Sequence, residues 1–331
     1  MRMNGNSSPG TGRSIASLSL DLDNLWTYMK IHGDEGWKEM PTYLDRFVPM
    51  VLEILERRSW TITFFIVGED GTRLENHDAL RSIAEAGHDI ANHSFRHEPW
   101  LHLYSEAELH EELEKAENAI ESVTGAKTVG FRGPGFSVSE TVLSVLGQRG
   151  YEYDASTLPM YIGPLARRFY FWSAKLSAEE RKKRSILFGR FRDGFRPAGP
   201  YRWKTDRGRL LEIPVTTIPG PKIPFHLSYL LFLSVRSPAL ARAYFRSGLA
   251  ACRIAGVTPS ILLHPLDFLG GDDVPELAFF PAMNVPGAKK RLWAEEFLSL
   301  LDDRYEIVTM KAQAQSLETV DLPDRVPDFG E

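Results

Sequence analysis

At 331 residues the chain can bury a full core, as one large or two ordinary domains, and its 43% hydrophobic and 25% charged residues are those of a soluble globular protein. The net charge of −5 is uneven: residues 166–209 carry 14 Lys and Arg against 4 Asp and Glu, so the remainder is acidic and would repel nucleic acid. The single cysteine, Cys252, excludes an intramolecular disulfide and a thiolate metal cluster, and no run of 18 apolar residues predicts a membrane span.

Met1 to Ser14 is polar, lacks the apolar core of a signal peptide and reads as disordered. With one cysteine and no export signal, the expected location is the cytoplasm. The first strand is expected over 15–22, where Leu18, Leu20 and Leu22 alternate with Ser19, Asp21 and Asp23. Leu44, Phe47, Val48, Val51, Leu52 and Leu55 have helical spacing after Pro41. Thr61 to Val67 reads as a strand, about Asp78 to Ala86 as a helix closed by Gly87, and His88 to Asn92 as the third strand. Ser105 with Glu108 forms a capping box opening a helix that runs to Gly125. A fourth strand follows at Thr128 to Phe131, a helix capped by Ser137 and Glu140, and a fifth strand at Tyr151 to Asp154. Alternation pauses over the basic, aromatic residues 160–209, the first part of an insertion that spans about 160 to 235. It resumes with Leu210 to Thr216, a helix at about Pro238–Ala255, a strand at Ser260 to His264, a helix at Gly287 to Leu301 and a last strand at Tyr305 to Thr309. Strands alternating with helices favour a closed, mostly parallel barrel over separate domains.

Chemistry concentrates at predicted strand ends. His93-Ser94-Phe95-Arg96-His97 sets two imidazoles four residues apart; one helical turn would bring both rings to one face, close enough to ligate one metal ion. Two surface histidines on a polar turn is the plainer alternative. Asp21 and Asp23 fall on one face of the first strand, where one can bind a cation while the other moves a proton; an Asx-type turn is the alternative.

Asp21-Leu22-Asp23, Thr63-Phe64-Phe65-Ile66-Val67-Gly68, His93-Ser94-Phe95-Arg96-His97, Phe131-Arg132-Gly133-Pro134 and Leu262-Leu263-His264 occur in the order found in the polysaccharide deacetylases, the NodB-homology carbohydrate esterases, which the chain resembles over about residues 15 to 310. The resemblance implies an α/β fold, a distorted (β/α) barrel of about seven to eight strands with the insertion attached. It implies one catalytic domain over 15–315 and a tail over 316–331. It also implies a divalent metal, most simply zinc, on Asp23, His93 and His97, with Asp21 as base, Arg132 orienting it and His264 as acid. From the residues alone, Asp21 and Asp23 can exchange roles. Asp267, three residues after His264, is a candidate to orient that ring. The aromatic residue usual after the Pro of R-x-P, whose N–H helps hold the oxyanion, is replaced: Gly135 follows Pro134, and Phe136 comes next. The first motif usually has adjacent acids, whereas Leu22 intervenes here. Trp203 and Asp206 are the nearest match to the family's Asp-and-Trp motif.

The expected activity is metal-dependent removal of an N-acetyl, or other N-acyl or formyl, group from an amino sugar. The alternative is hydrolysis of a small cyclic amide such as a purine-catabolic intermediate. A non-haem Fe(II) oxygenase shares the two-His, one-carboxylate set but usually uses a β-sandwich. A non-catalytic relative would be expected to lose Asp21 or His264. For the insertion, the net positive charge of 166–209, interleaved with Phe169, Tyr170, Phe171, Trp172, Phe188, Phe191, Phe195, Tyr201 and Trp203, precedes the apolar run Ile223 to Val235. That pattern predicts docking on an anionic membrane face to reach a lipid-linked sugar, with an oligomer interface or a lid as the other readings.

Overall fold

Leu18 and Leu20 lie on β1 (Ile15–Asp21), the strand on which the sheet is built, and every residue of β1 is buried. The computed structural model describes residues 13–161 and 191–329, with 163, 179 and 182 as isolated positions between. The readings that fall on 1–12 and on Phe169, Tyr170, Phe171, Trp172 and Phe188 lie outside the described residues.

The strands are β2 (Thr63–Ile66), β3 (Asp89–Asn92), β4 (Gly130–Phe131), β5 (Tyr153–Asp154), β6 (Tyr201–Thr205), β7 (Gly208–Glu212), β8 (Ser260–Leu263), β9 (Glu306–Val308) and β10 (Asp324–Arg325). They run in the order β10-β6-β7-β5-β4-β3-β2-β1-β8, with β9 also paired to β1. All pairs are parallel except the β6–β7 hairpin. Parallel strands are covered on both faces, which explains why Ser17 and Ser19 are as buried as their leucine neighbours.

The barrel is distorted as expected, but its ladder does not close. The extended segment after β7 spans the gap: Val215 N–H donates to Thr157 O at 2.9 Å, and Thr216 N–H donates to Ser260 O at 3.0 Å. Among the described residues there are ten short strands, because β6 and β10 join the eight expected from the sequence. Within the expected C-terminal tail, β10 pairs with β6.

The helices that carry or cover the site are α1 (Leu25–His32), α2 (Leu44–Arg57), α3 (Gly68–Gly71), α4 (His77–Glu85), α5 (Glu106–Thr124), α6 (Glu140–Gln148), α7 (Leu227–Arg236), α8 (Pro238–Ala255), α9 (Gly287–Asp302) and α10 (Met310–Ser316). The capping box at Ser105 and Glu108 is present. The cap of α6 is Ser139, which accepts from Val142 N–H, rather than Ser137, whose hydroxyl is taken by His102. The apolar run Ile223 to Val235 contains α7, and its residues Phe225, Leu227, Leu230 and Leu231 are at most 2% exposed within the main core. The core claims these side chains, which leaves Ile223, Phe232 and Val235 at the surface. Gly68 lies where α5 crosses: a Cβ there would stand 2.6 Å from Ala116 Cα. Among the described residues, no helix is long and apolar enough to cross a membrane.

Candidate active site

Strand ends deliver the site. His93 follows β3, and Asp21 closes β1 with Asp23 two residues on. The stretch from His93 to His97 is not a helical turn. Ser94 and His97 both have positive φ, 62° and 53°, which costs on the order of 1–3 kcal/mol each and persists only if the surroundings enforce it. Two neighbours do so. Glu112 on α5 accepts from Phe95 N–H and Arg96 N–H at 2.9 and 2.7 Å. Lys30 on α1 donates to Arg96 O at 2.8 Å.

The loop thus brings the two imidazoles together by a different route from the one expected. Their centroids are 5.0 Å apart. Asp23 Oδ1 lies 2.8 Å from His97 Nε2 and 3.5 Å from His93 Nε2, and all three residues are buried. His93 Nδ1 meets Arg132 O at 2.7 Å, which makes Nδ1 the protonated nitrogen and turns the Nε2 lone pair towards Asp23. A lone pair facing a buried carboxylate repels it unless a cation stands between them. One ligand atom from each of Asp23, His93 and His97 lies within 4.8 Å of the others, so the donor set fits one metal ion. Burial drives the Asp23 pKa up; positive charge on His97 and His93 would outweigh it and hold the carboxyl below the usual range.

Asp21 stands beside this set. Arg132 Nη1 donates to Asp21 Oδ1 at 2.5 Å and to Ser19 Oγ at 3.0 Å, while Nε donates to Ala155 O at 3.1 Å. The guanidinium also lies 4.2 Å from the Phe65 ring centroid. Asp21 Oδ2 is then 3.9 Å from His93 Nε2 and 4.0 Å from His264 Nε2. Of the two acids, Asp23 is the closer to the histidine pair and Asp21 is the one Arg132 holds. Asp267 does not reach the His264 ring. Its Oδ2 accepts from His264 backbone N–H at 2.8 Å, and Ser228 Oγ lies 3.3 Å from the ring Nδ1.

Asp21, Asp23, His93, His97 and His264 line one cavity of about 300 Å³, walled by Tyr28, Leu158, Tyr229 and Phe280 among others. Gly135 and Phe136 form its rim in a turn where both have positive φ, 60° and 63°; glycine suits the first position. Pro134, which opens that turn, is buried. Trp203 donates to Glu212, and the Asp206 carboxylate accepts from Ser144; neither residue lines the cavity. Sequence reasoning missed Glu112, Ser228 and His226. Only His226 stood out as a type, and nothing in its spacing tied it to His264.

The family described as Polysaccharide deacetylase matches residues 33–153. Among curated proteins, the chain is 30% identical over 114 residues to the peptidoglycan-N-acetylmuramic acid deacetylase PdaA of Bacillus subtilis, covering 33% of this chain and 41% of that protein. It is 23% identical over 151 residues to the peptidoglycan deacetylase of Helicobacter pylori, covering 44% and 50%. The chain spans about two fifths to a half of the length of these relatives. Among solved structures, a Mycobacterium smegmatis protein provisionally described as a polysaccharide deacetylase superposes with a TM-score of 0.62 at 19% identity, over 100% of this chain and 99% of the other. The PuuE allantoinase superposes with a TM-score of 0.54 at 16% identity, over 95% and 93%. The chain is polysaccharide-deacetylase-like in sequence, and its fold is that of these two structures. The matched segment holds His93, His97 and Arg132; Asp21, Asp23 and His264 lie outside it and are joined to it by the fold.

Proposed function

We propose that the chain hydrolyses the acetamide of an N-acetylated amino sugar, releasing acetate and the free amine. The observation that carries this reading is the placement of Asp21, with one oxygen held by Arg132 and the other between His93 and His264. Asp23, His93 and His97 would hold one divalent cation, and their two-imidazole, one-carboxylate chemistry suits zinc. Such a cation, when bound, polarises a carbonyl and lowers the pKa of a water. Asp21 Oδ2 accepts the proton of the attacking water. His264, across the cavity and steadied by Ser228, gives a proton to the leaving nitrogen. The Gly135 N–H at the rim donates to the oxygen on which negative charge develops.

The peptidoglycan deacetylases among the relatives make N-acetylglucosamine oligomers and peptidoglycan fragments the first substrates to test. Acetate release by the zinc-loaded protein, lost in Asp21→Asn, is expected; no release from any N-acetyl sugar would overturn the reading. A second reading, hydrolysis of a small cyclic amide, is favoured by the modest cavity, which lies at the lower end of ligand pockets. Allantoin in the same panel separates the two.

A lipid-linked sugar reached from the cytoplasmic face of a membrane is the narrower form of the first reading. Its support is the exposure of Phe191, Phe195, Ile223, Phe232 and Val235, with Arg192 and Arg236 adjoining in sequence. Sedimentation with anionic liposomes at low and high salt tests it. Salt-sensitive binding is expected, and full activity on a water-soluble sugar without liposome binding would contradict it.

A further inference from the structure

His226 precedes α7 and lines the same cavity as His264, yet no step described above uses it. It is 5% exposed, and its ring centroid lies 6.3 Å from that of His264 and 4.7 Å, edge-on, from that of Tyr229. Its Nδ1 is sealed from solvent with no hydrogen-bond partner among the described residues. Burying an unpaired acceptor lone pair costs less than burying an unpaired N–H, so the proton belongs on Nε2, the nitrogen that is not sealed. Burial, with the charges of His264 and Arg132, lowers the His226 pKa to about 3, so at neutral pH the ring is an uncharged donor. An uncharged N–H in a cavity walled by Leu158, Tyr229 and Leu231 suits a neutral acceptor oxygen.

We propose that His226 is a substrate-contact residue whose Nε2–H donates to a hydroxyl oxygen of the amino sugar, fixing which sugar is accepted beside His264. This rests on the deacetylase reading above. The contact makes the site selective because a substrate lacking that hydroxyl leaves the imidazole N–H unpaired.

The test compares kcat and KM for N-acetylglucosamine and its 3-, 4- and 6-deoxy analogues in the wild type, His226→Phe and His226→Gln. In the wild type one analogue is expected to lose roughly tenfold in kcat/KM, the effect of one hydrogen bond. In His226→Phe that analogue and the parent sugar should become equal, because the partner is gone from both sides of the comparison. His226→Gln, which keeps an N–H donor, should retain part of the discrimination and guards against a variant that merely fails to fold. Between pH 5 and 8 the shape of the rate profile should be the same in all three proteins. Equal discrimination in wild type and His226→Phe would overturn the contact while leaving the deacetylase reading standing. Absence of turnover of every N-acetyl sugar by the wild type would overturn both.

Discussion

Arg132 Nη1 donates to Asp21 Oδ1 at 2.5 Å in a setting where Arg132 is 0% and Asp21 4% exposed. A pair buried this deeply is costly to break from one side, since the remaining charge has no solvent to turn to. Arg132→Ala is expected to destabilise the protein by about 3–5 kcal/mol. A denaturant midpoint measured with an unchanged m-value checks it, and an unaltered midpoint would show that Asp21 has another partner.

Replacing Asp21 by Asn keeps the shape of the side chain but removes the proton acceptor. Turnover should fall by roughly 10²–10⁴-fold, with metal content retained. His264→Ala should lose activity on the same scale by removing the proton donor on the opposite wall. Wild-type rates in either variant, on a substrate the parent protein hydrolyses, would contradict the assigned roles.

Glu112 holds the loop between the two histidines through Phe95 N–H and Arg96 N–H. Glu112→Ala releases that loop without touching a ligand atom. Outer supports of this kind typically contribute 10–100-fold to metal affinity, so zinc binding should weaken by about that factor. Competition against a chromophoric chelator measures it. Unchanged affinity would mean that the positive φ of Ser94 and His97 needs no help from α5.

Asp70 accepts from Asn24, Trp26 and Asn76 side chains, and burial raises its pKa from 3.8 to about 7 against the pull of the Asn24 and Trp26 hydrogen bonds. Between those values the folded protein holds a proton that the unfolded chain releases. Stability from this group is therefore fully present below 3.8 and is lost as pH rises through about 7. Asp70→Asn should flatten the fall of stability across that interval. Urea unfolding at several pH values reads the slope, and parallel curves for both proteins would sink the assignment.

The legible parts were those where local pattern and tertiary role coincide. The alternation around Asp21 and Asp23, the Ser105 capping box and the ends of β2, β3 and β8 all follow from short-range periodicity. The histidine pair was legible as two converging imidazoles but not in its conformation, because the loop geometry is enforced by Glu112 and Lys30 from other elements. The apolar run at α7 was legible only in part: composition marks Phe225, Leu230 and Leu231 as apolar but not which surface receives them. Ser228 and His226 were illegible, since only the fold carries the start of α7 to His264. The gap after β7 is bridged by isolated backbone hydrogen bonds, from Val215 to Thr157 and from Thr216 to Ser260, which leave no mark in periodicity.

The central claim is that Asp23, His93 and His97 form one metal site. Calorimetric titration of the metal-stripped protein with zinc, beside Asp23→Ala and His93→Ala, tests it most directly. The account predicts one zinc per chain in the parent protein and loss of that site in both variants. One-to-one binding of equal affinity in all three proteins would contradict it.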